Sequence, residues 1–237
     1  MVFGGFVEML AASPEKGGFL STIWNLLLKL SAGMGTTLSI FALTLIFSMP
    51  LGLFVCFGRM SKFRVVSWLT KIYISIMRGT PLMLQIIVVY FGPYYIFGIN
   101  LSMEYRFPAV IIAFAINYAA YFAEIYRGGI ESIEVGQYEA AGILGFSKSQ
   151  TFIRIILPQV FKRILPSVTN EIITLVKDTS LAYSVAVLEM FTLAKQYATT
   201  TASMMPYIAA AIFYYVFNYV VAFVMERVEK KFSYYTV

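Results

Sequence analysis

The sequence predicts an all-α integral membrane protein with five transmembrane helices, its N-terminus outside and its C-terminus in the cytoplasm. Three observations carry this. Hydrophobic residues make up 59% of the 237-residue chain and charged residues only 13%, against roughly 45–50% and 25% in soluble domains. The apolar residues gather into five segments that approach the roughly 20 residues a bilayer crossing needs. Lys and Arg concentrate on one side of the alternation that these segments define.

Residues 1–32 read as an extracellular N-terminal segment. Its start lacks the basic residues of a cleavable signal and carries Glu8 and Glu15. Phe19 to Leu30 is apolar but short and includes Lys29, and Trp24 suits a membrane surface, so an interfacial helix is expected there. Residues 33–228 form the transmembrane domain, with spans near 33–57, 80–98, 107–126, 166–188 and 206–225. Residues 229–237 form a cytoplasmic tail. The loop after the first span carries Arg59, Lys62, Arg64 and Lys71, with Arg78 close behind. The loop at 127–165 carries Arg127, Lys148, Arg154, Lys162 and Arg163, and the C-terminal end carries Arg227, Lys230 and Lys231. The opposite side has Lys16, Lys29, Arg106 and Lys195. The positive-inside rule sets the orientation from this asymmetry.

Composition also excludes chemistry. The chain has no His and one Cys, Cys56, inside an apolar run. That leaves no basis for a zinc site, a catalytic triad or a disulfide framework. Neither a catalytic residue nor a metal ligand is expected, and Cys56 reads as a small buried apolar residue. The net charge of +6 is assigned to cytoplasmic loops, with no nucleic acid partner. No internal repeat is visible, and an odd number of spans does not divide into the inverted halves of many secondary carriers.

The most specific feature is Glu139 to Pro158, in a polar, basic stretch between apolar segments. Gln137 to Leu144 is helix-compatible, and Gly145 suits a positive φ just past its end. Ser147 with Gln150 matches a capping box, and the next helix is expected to end around Pro158. Ala140 and Ala141 end at Cβ, so another protein can approach that backbone closely, with Glu139 supplying a charge beside them. Helix logic leaves two readings open, an ordinary amphipathic hairpin and a docking surface.

Glu139-Ala140-Ala141, then Gly145, Ile155 and Leu157-Pro158, fall at the spacing EAA-x3-G-x9-I-x-LP. At every fixed position this resembles the signature of ABC importer permeases. Arg78-Gly79-Thr80-Pro81-Leu82, Ala123 to Ile130, Gly136-Gln137 and Lys177 to Leu181 resemble the subfamily for polar amino acids such as histidine, glutamine, glutamate, arginine and cystine. The resemblance runs from about Lys29 to the C-terminus. Glu134-Val135 departs from a proline common in the family, which changes the angle at which the chain enters the loop. The resemblance implies a type I importer permease in the bacterial inner membrane, paired with a second permease chain, identical or homologous. It implies that the Glu139 segment docks on a dimer of cytoplasmic ATPase subunits and that an extracellular or periplasmic protein delivers the amino acid. The chain itself would hold no cofactor. Gly142 to Ser149 lacks the glycine before Lys148 that a phosphate-binding loop requires, so ATP would be used by the partner.

Ionised groups within a bilayer are costly, about 2.5–3.5 kcal/mol at its centre, and so face a cavity or one another. Helical spacing puts Asn170, Thr174, Lys177 and Ser184 on one stripe of the fourth span, with Glu171 and Asp178 beside it. That stripe must be turned from lipid. Asn117, Tyr121 and Glu124 share a face of the third span, and Ala115, Ala119 and Ala123 form a small-residue face. Gln85 follows Pro81 in the second. Lys177, Asp178, Asn117, Tyr121, Gln85 and Glu171 are the candidates for lining a substrate path; bracing of helices is the other reading. Arg78 and Arg127 are expected to snorkel to headgroups. The clusters Tyr90–Phe97 and Tyr214–Tyr219 read as interfacial or packing aromatics. Two further classes of function stay open: an ion-coupled secondary carrier, and a membrane scaffold subunit that recruits a cytoplasmic partner.

Overall fold

The computed structural model describes residues 19–232. The expected segment before residue 19 and the last five residues of the tail lie outside the described residues. The described chain is helical, with no strand among them. Its order is α1 (Phe19–Arg59), α2 (Arg64–Gly79), α3 (Leu82–Phe97), a 3-10 turn (Met103–Tyr105), α4 (Arg106–Glu131), α5 (Val135–Ile143) and α6 (Lys148–Thr151). A π segment (Phe152–Ile156), α7 (Leu157–Asp178), a second 3-10 segment (Thr179–Val185), α8 (Met190–Thr201) and α9 (Met205–Phe232) follow.

Ile23–Arg59, Met103–Glu131 and Met205–Phe232 are long and apolar enough to cross a membrane. Helices α2 and α3 pass the same test only together, as a bent pair. The bend has a local cause. Thr80 is extended (φ −121°, ψ 146°), because Pro81 disfavours the helical conformation in the residue before it.

The structure differs from the sequence reading at three places. No break separates an interfacial helix from the first span: α1 is one helix of 41 residues, about 60 Å long. Gly33 shows why helix persists there. A Cβ on it would lie 2.7 Å from Met190 N and 2.8 Å from Glu189 C, so close packing outweighs the weak helix propensity of glycine. The helix after Ser147 does not end at Pro158. The backbone stays helical, winding as a π turn over Phe152–Ile156 before α7. Such a turn accommodates a residue that donates no i→i−4 bond. Finally, α-helix stops at Asp178, inside the expected fourth span, and 3-10 turns run to Val185.

The chain forms two compact units. Among the described residues, one comprises 19–43, Met83–Ile112 and Leu175–Val220. Its core joins Ile23 and Leu30 of α1 to Met190 and Ala194 of α8 and Met205, Ala209 and Ala210 of α9. The other comprises Thr44–Leu82, Ala113–Thr174 and 221–232. There Cys56, Ile74, Ala120 and Ala123 are buried together, as the apolar reading of Cys56 expects. The small face of α4 admits α1: a Cβ on Gly52 would meet Phe122 Cβ at 2.8 Å and Ala119 O at 3.1 Å.

Candidate functional site

The Glu139 segment is built from local signals. Gly145 has φ +78°, a conformation costly for residues with a Cβ. Its N–H bonds the Gly142 carbonyl at 3.0 Å, and the Phe146 N–H reaches the Ala141 carbonyl at 3.1 Å. This pair of bonds is a Schellman motif closing α5. Two residues on, the capping box forms. The Gln150 N–H donates to Ser147 Oγ at 3.3 Å, and the Ser147 N–H donates to Gln150 Oε1 at 2.9 Å. A positive-φ turn thus sits between two satisfied helix ends.

The hairpin is seated on apolar and polar contacts. Ile133, Ile156 and Val160 are buried, with Ile130, Phe152, Ile155 and Ile164 packed around them. Gln159 Nε2 donates to Gln137 Oε1 at 3.3 Å, and Arg163 donates to the Ser132 carbonyl. Gly129 lets the end of α4 approach α7, since a Cβ there would lie 2.1 Å from Ile164 Cγ2.

Of the residues singled out in this segment, Glu139, Ala140, Gly145, Leu157 and Pro158 are exposed, and Ile155 is half-buried in the seat. Ala141 is buried, so of the two alanines Ala140 is the one on the open side. On a helix, 137 and 141 share one side and 139 and 143 the opposite one, while Leu144 is the C-cap. The inward side is the one that packs. The outward side also carries Ile143, 87% exposed, and Leu144, 73% exposed, which the sequence reading missed. Two bulky apolar residues before a capping glycine in a polar loop were the available signal.

The polar candidates are placed as follows. Lys177 is exposed, Asp178 and Glu171 are half-buried, and Gln85 is half-buried on α3. Asn170 and Thr174 are exposed with Lys177, while Val168, Thr169, Ile172, Leu175 and Val176 are buried. The polar stripe of α7 therefore lies on the open face of the single chain. Asn117 is buried and donates from Nδ2 to the Met77 carbonyl at 3.0 Å. Tyr121 is half-buried beneath the Arg78 guanidinium, 5.3 Å from its ring centroid. Arg127 pairs with Glu124 at 2.6 Å and Glu131 at 2.5 Å. Helical spacing gives Arg127 carboxylates three residues before it and four after.

Glu189 was also missed. It is fully buried and caps α8. Its carboxylate accepts from the N–H groups of Phe191 and Thr192, both at 2.7 Å, the Thr192 hydroxyl at 2.9 Å and the Tyr214 hydroxyl at 3.0 Å. Burial, the larger effect, pushes this carboxyl above its usual range against the pull of those bonds. Thr37 of α1 accepts from the Met190 N–H at 3.3 Å. One buried acid thus fastens α8 to α9, beside the point where α1 crosses. Nearby, a cavity of about 410 Å³ is lined by Tyr183, Thr192, Lys195, Gln196, Thr199 and Thr200. Lys195 Nζ lies 4.8 Å from the centroid of Tyr183.

Long apolar helices, with one polar helix that gives way to 3-10 turns, fit a multi-pass membrane protein. Residues 48–234 match the family model described as binding-protein-dependent transport system inner membrane component, and the chain belongs to that family. Membership makes it a multi-pass protein of the bacterial inner membrane and a permease component, not itself an enzyme. It is 35% identical over 209 residues to the L-cystine transport system permease protein TcyB of Bacillus subtilis, covering 87% of each chain. It is 36% identical over 200 residues to the arginine transport system permease protein ArtQ of the same organism, covering 84% of this chain and 90% of that one. A chain in the crystal structure of an amino acid ABC transporter with histidines superposes with a TM-score of 0.81 at 30% identity. That match covers 92% of this chain and all of the other.

Proposed function

We propose that this chain is the transmembrane subunit of an ATP-driven importer of a polar amino acid. An external binding protein delivers the substrate. A separate cytoplasmic ATPase dimer drives the change of state by gripping the hairpin at Glu139–Pro158. The observation that carries this reading is the outward face of Glu139, Ala140, Ile143 and Leu144 on a turn locked at both ends. Exposed apolar side chains beside a charge suit a groove on another protein. A turn without slack passes displacement on to the helices seated beneath it, as a rigid-body change requires.

A second permease chain completes the pathway. The exposed stripe of Asn170, Thr174 and Lys177 is untenable against acyl chains, and a facing copy or homologue would enclose it in water. Lys177 and Asp178 sit where α7 gives way to 3-10 turns, and irregular backbone at membrane depth belongs beside a cavity. Five spans are consistent with the helices: α1, the bent pair α2–α3, α4, α7 with its 3-10 extension, and α9. The cation asymmetry puts the N-terminus outside and the hairpin in the cytoplasm. The names of the relatives, cystine and arginine systems, support an amino acid with a polar or charged side chain.

The test is reconstitution with the cognate ATPase and binding protein. Leu144→Cys is expected to crosslink to the nucleotide-hydrolysing subunit, in a yield that changes with ATP. Binding protein loaded with the right amino acid should stimulate ATP turnover. Uptake that survives ATP depletion but collapses with a protonophore would instead establish an ion-coupled carrier. Absence of uptake under either drive would leave a scaffold.

A further inference from the structure

The turn between α1 and α2 holds a basic cavity that importer function does not use. Arg59, Lys62, Arg64 and Lys71 line a space of about 290 Å³ with Ser61, Ser67 and Trp68. The turn is fastened. Arg59 Nη1 donates to Ser67 Oγ at 3.2 Å, the Ser67 hydroxyl donates to the Arg59 carbonyl at 2.9 Å, and the Phe63 N–H donates to Ser61 Oγ at 3.2 Å. No ion pair among the described residues engages any of these four cations. The sequence gives them no near neighbour in the chain to pair with: between Glu15 and Glu104 there is no Asp or Glu at all. Arg59 acts electrostatically on Glu124, but the other three cations have no such partner among the described residues; like charges so clustered repel one another, and an external anion relieves this.

The surroundings identify the anion. On α2, Val65, Leu69, Ile72 and Ile76 recur at helical spacing and are all exposed, forming one apolar face. Arg64, Lys71 and Arg78, seven residues apart, run as a stripe along its edge. Phe63 is 77% exposed and Trp68 61% exposed at the same end. A dissolved phosphate would need only the cations. Cations bordering a free apolar face with an indole at the junction match a ligand with a charged head and an acyl body.

We infer that the Arg59–Lys71 turn is a binding site for the phosphate of an anionic glycerophospholipid, with its acyl chains against the apolar face of α2. Arg64 and Lys71 supply the charge, and Trp68 lies where head meets chain. The inference does not depend on the transport reading, and its test needs no ATPase.

The chain has two tryptophans, Trp24 and Trp68, so Trp24→Phe leaves Trp68 as a local reporter. The full chain carrying that change is reconstituted in phosphatidylcholine vesicles. Brominated phosphatidylglycerol or brominated phosphatidylcholine is added at equal mole fraction, and quenching of Trp68 gives the relative association constant. Preference for the anionic lipid is expected, falling about fivefold in R64Q and again in K71Q. The distant change K230Q is expected to leave it intact. Quenching by the phosphatidylcholine probe in each variant verifies that Trp68 still meets lipid. Four outcomes overturn the inference: equal quenching by the two lipids, a preference that survives both R64Q and K71Q, an equal loss in K230Q, or abolition of the preference by millimolar inorganic phosphate. The third would mean a diffuse surface potential, and the fourth a soluble anion site.

Discussion

Gly145→Val separates the rigidity of the hairpin from its composition. Gly145 has φ +78°, and a Cβ placed on it meets nothing within 4 Å. The substitution therefore creates no clash, and its cost is conformational. A left-handed backbone costs an L-residue roughly 1–2 kcal/mol, and β-branching puts valine at or above the upper end. Such a cost lowers the population of the locked turn by about 5- to 30-fold relative to its alternatives. Because the Schellman bonds to Gly142 and Ala141 form only in this conformation, the outward face loses its orientation when the turn opens. We expect normal membrane insertion, normal yield and loss of transport by about an order of magnitude or more, read as substrate-stimulated ATP turnover and uptake in proteoliposomes. Gly145→Asn, which tolerates the left-handed region, is expected to retain most activity. Wild-type uptake by the valine variant, or equal damage from asparagine and valine, would refute the reasoning.

Leu144→Asp places a charge on the outward apolar face without touching the turn. It is expected to uncouple ATP turnover from substrate while leaving the permease folded, seen as loss of stimulation with unchanged thermal stability of the purified chain. Lys177→Gln is expected to lower uptake more than Lys195→Gln if the α7 stripe lines the narrow part of the path. A rise in apparent KM alone for Lys195→Gln would mark the Tyr183–Thr200 cavity as a point of first encounter. Glu189→Ala leaves the Phe191 and Thr192 N–H groups and the Tyr214 hydroxyl without their acceptor, a loss of about 1–3 kcal/mol for the buried donors. At roughly 2–4 °C per kcal/mol for a chain of this size, its melting temperature in detergent should fall by several degrees; Glu189→Gln, which keeps one acceptor oxygen, should fall less.

The legible parts of this molecule are those encoded by neighbours in sequence. Gly145 and the Ser147–Gln150 box could be read because each needs only residues within three or four positions, and both form as expected. The small face at Ala115, Ala119 and Ala123 was likewise readable, since helical periodicity alone groups it, and Gly52 uses it. What stayed hidden depends on partners far away in the chain. The continuity of α1 through Gly33 rests on the backbone of Met190, more than 150 residues on. Glu189 drew no notice in the sequence because its donor Tyr214 lies in another helix. The direction of Ala141 was not legible for a related reason: composition says that a residue is small, not which way it faces. Pro158 misled because propensity treats proline as a stop, whereas a π turn carries the helix past it.

That last correction bears on mechanism. If helix had ended at Pro158, the hairpin would hang from a joint, and a push on its face would be absorbed as bending. Instead the winding is continuous from Lys148 through the π turn into α7. On the proposed reading, a push on the face of the hairpin therefore enters α7 directly, with no joint at Pro158 to absorb it as bending.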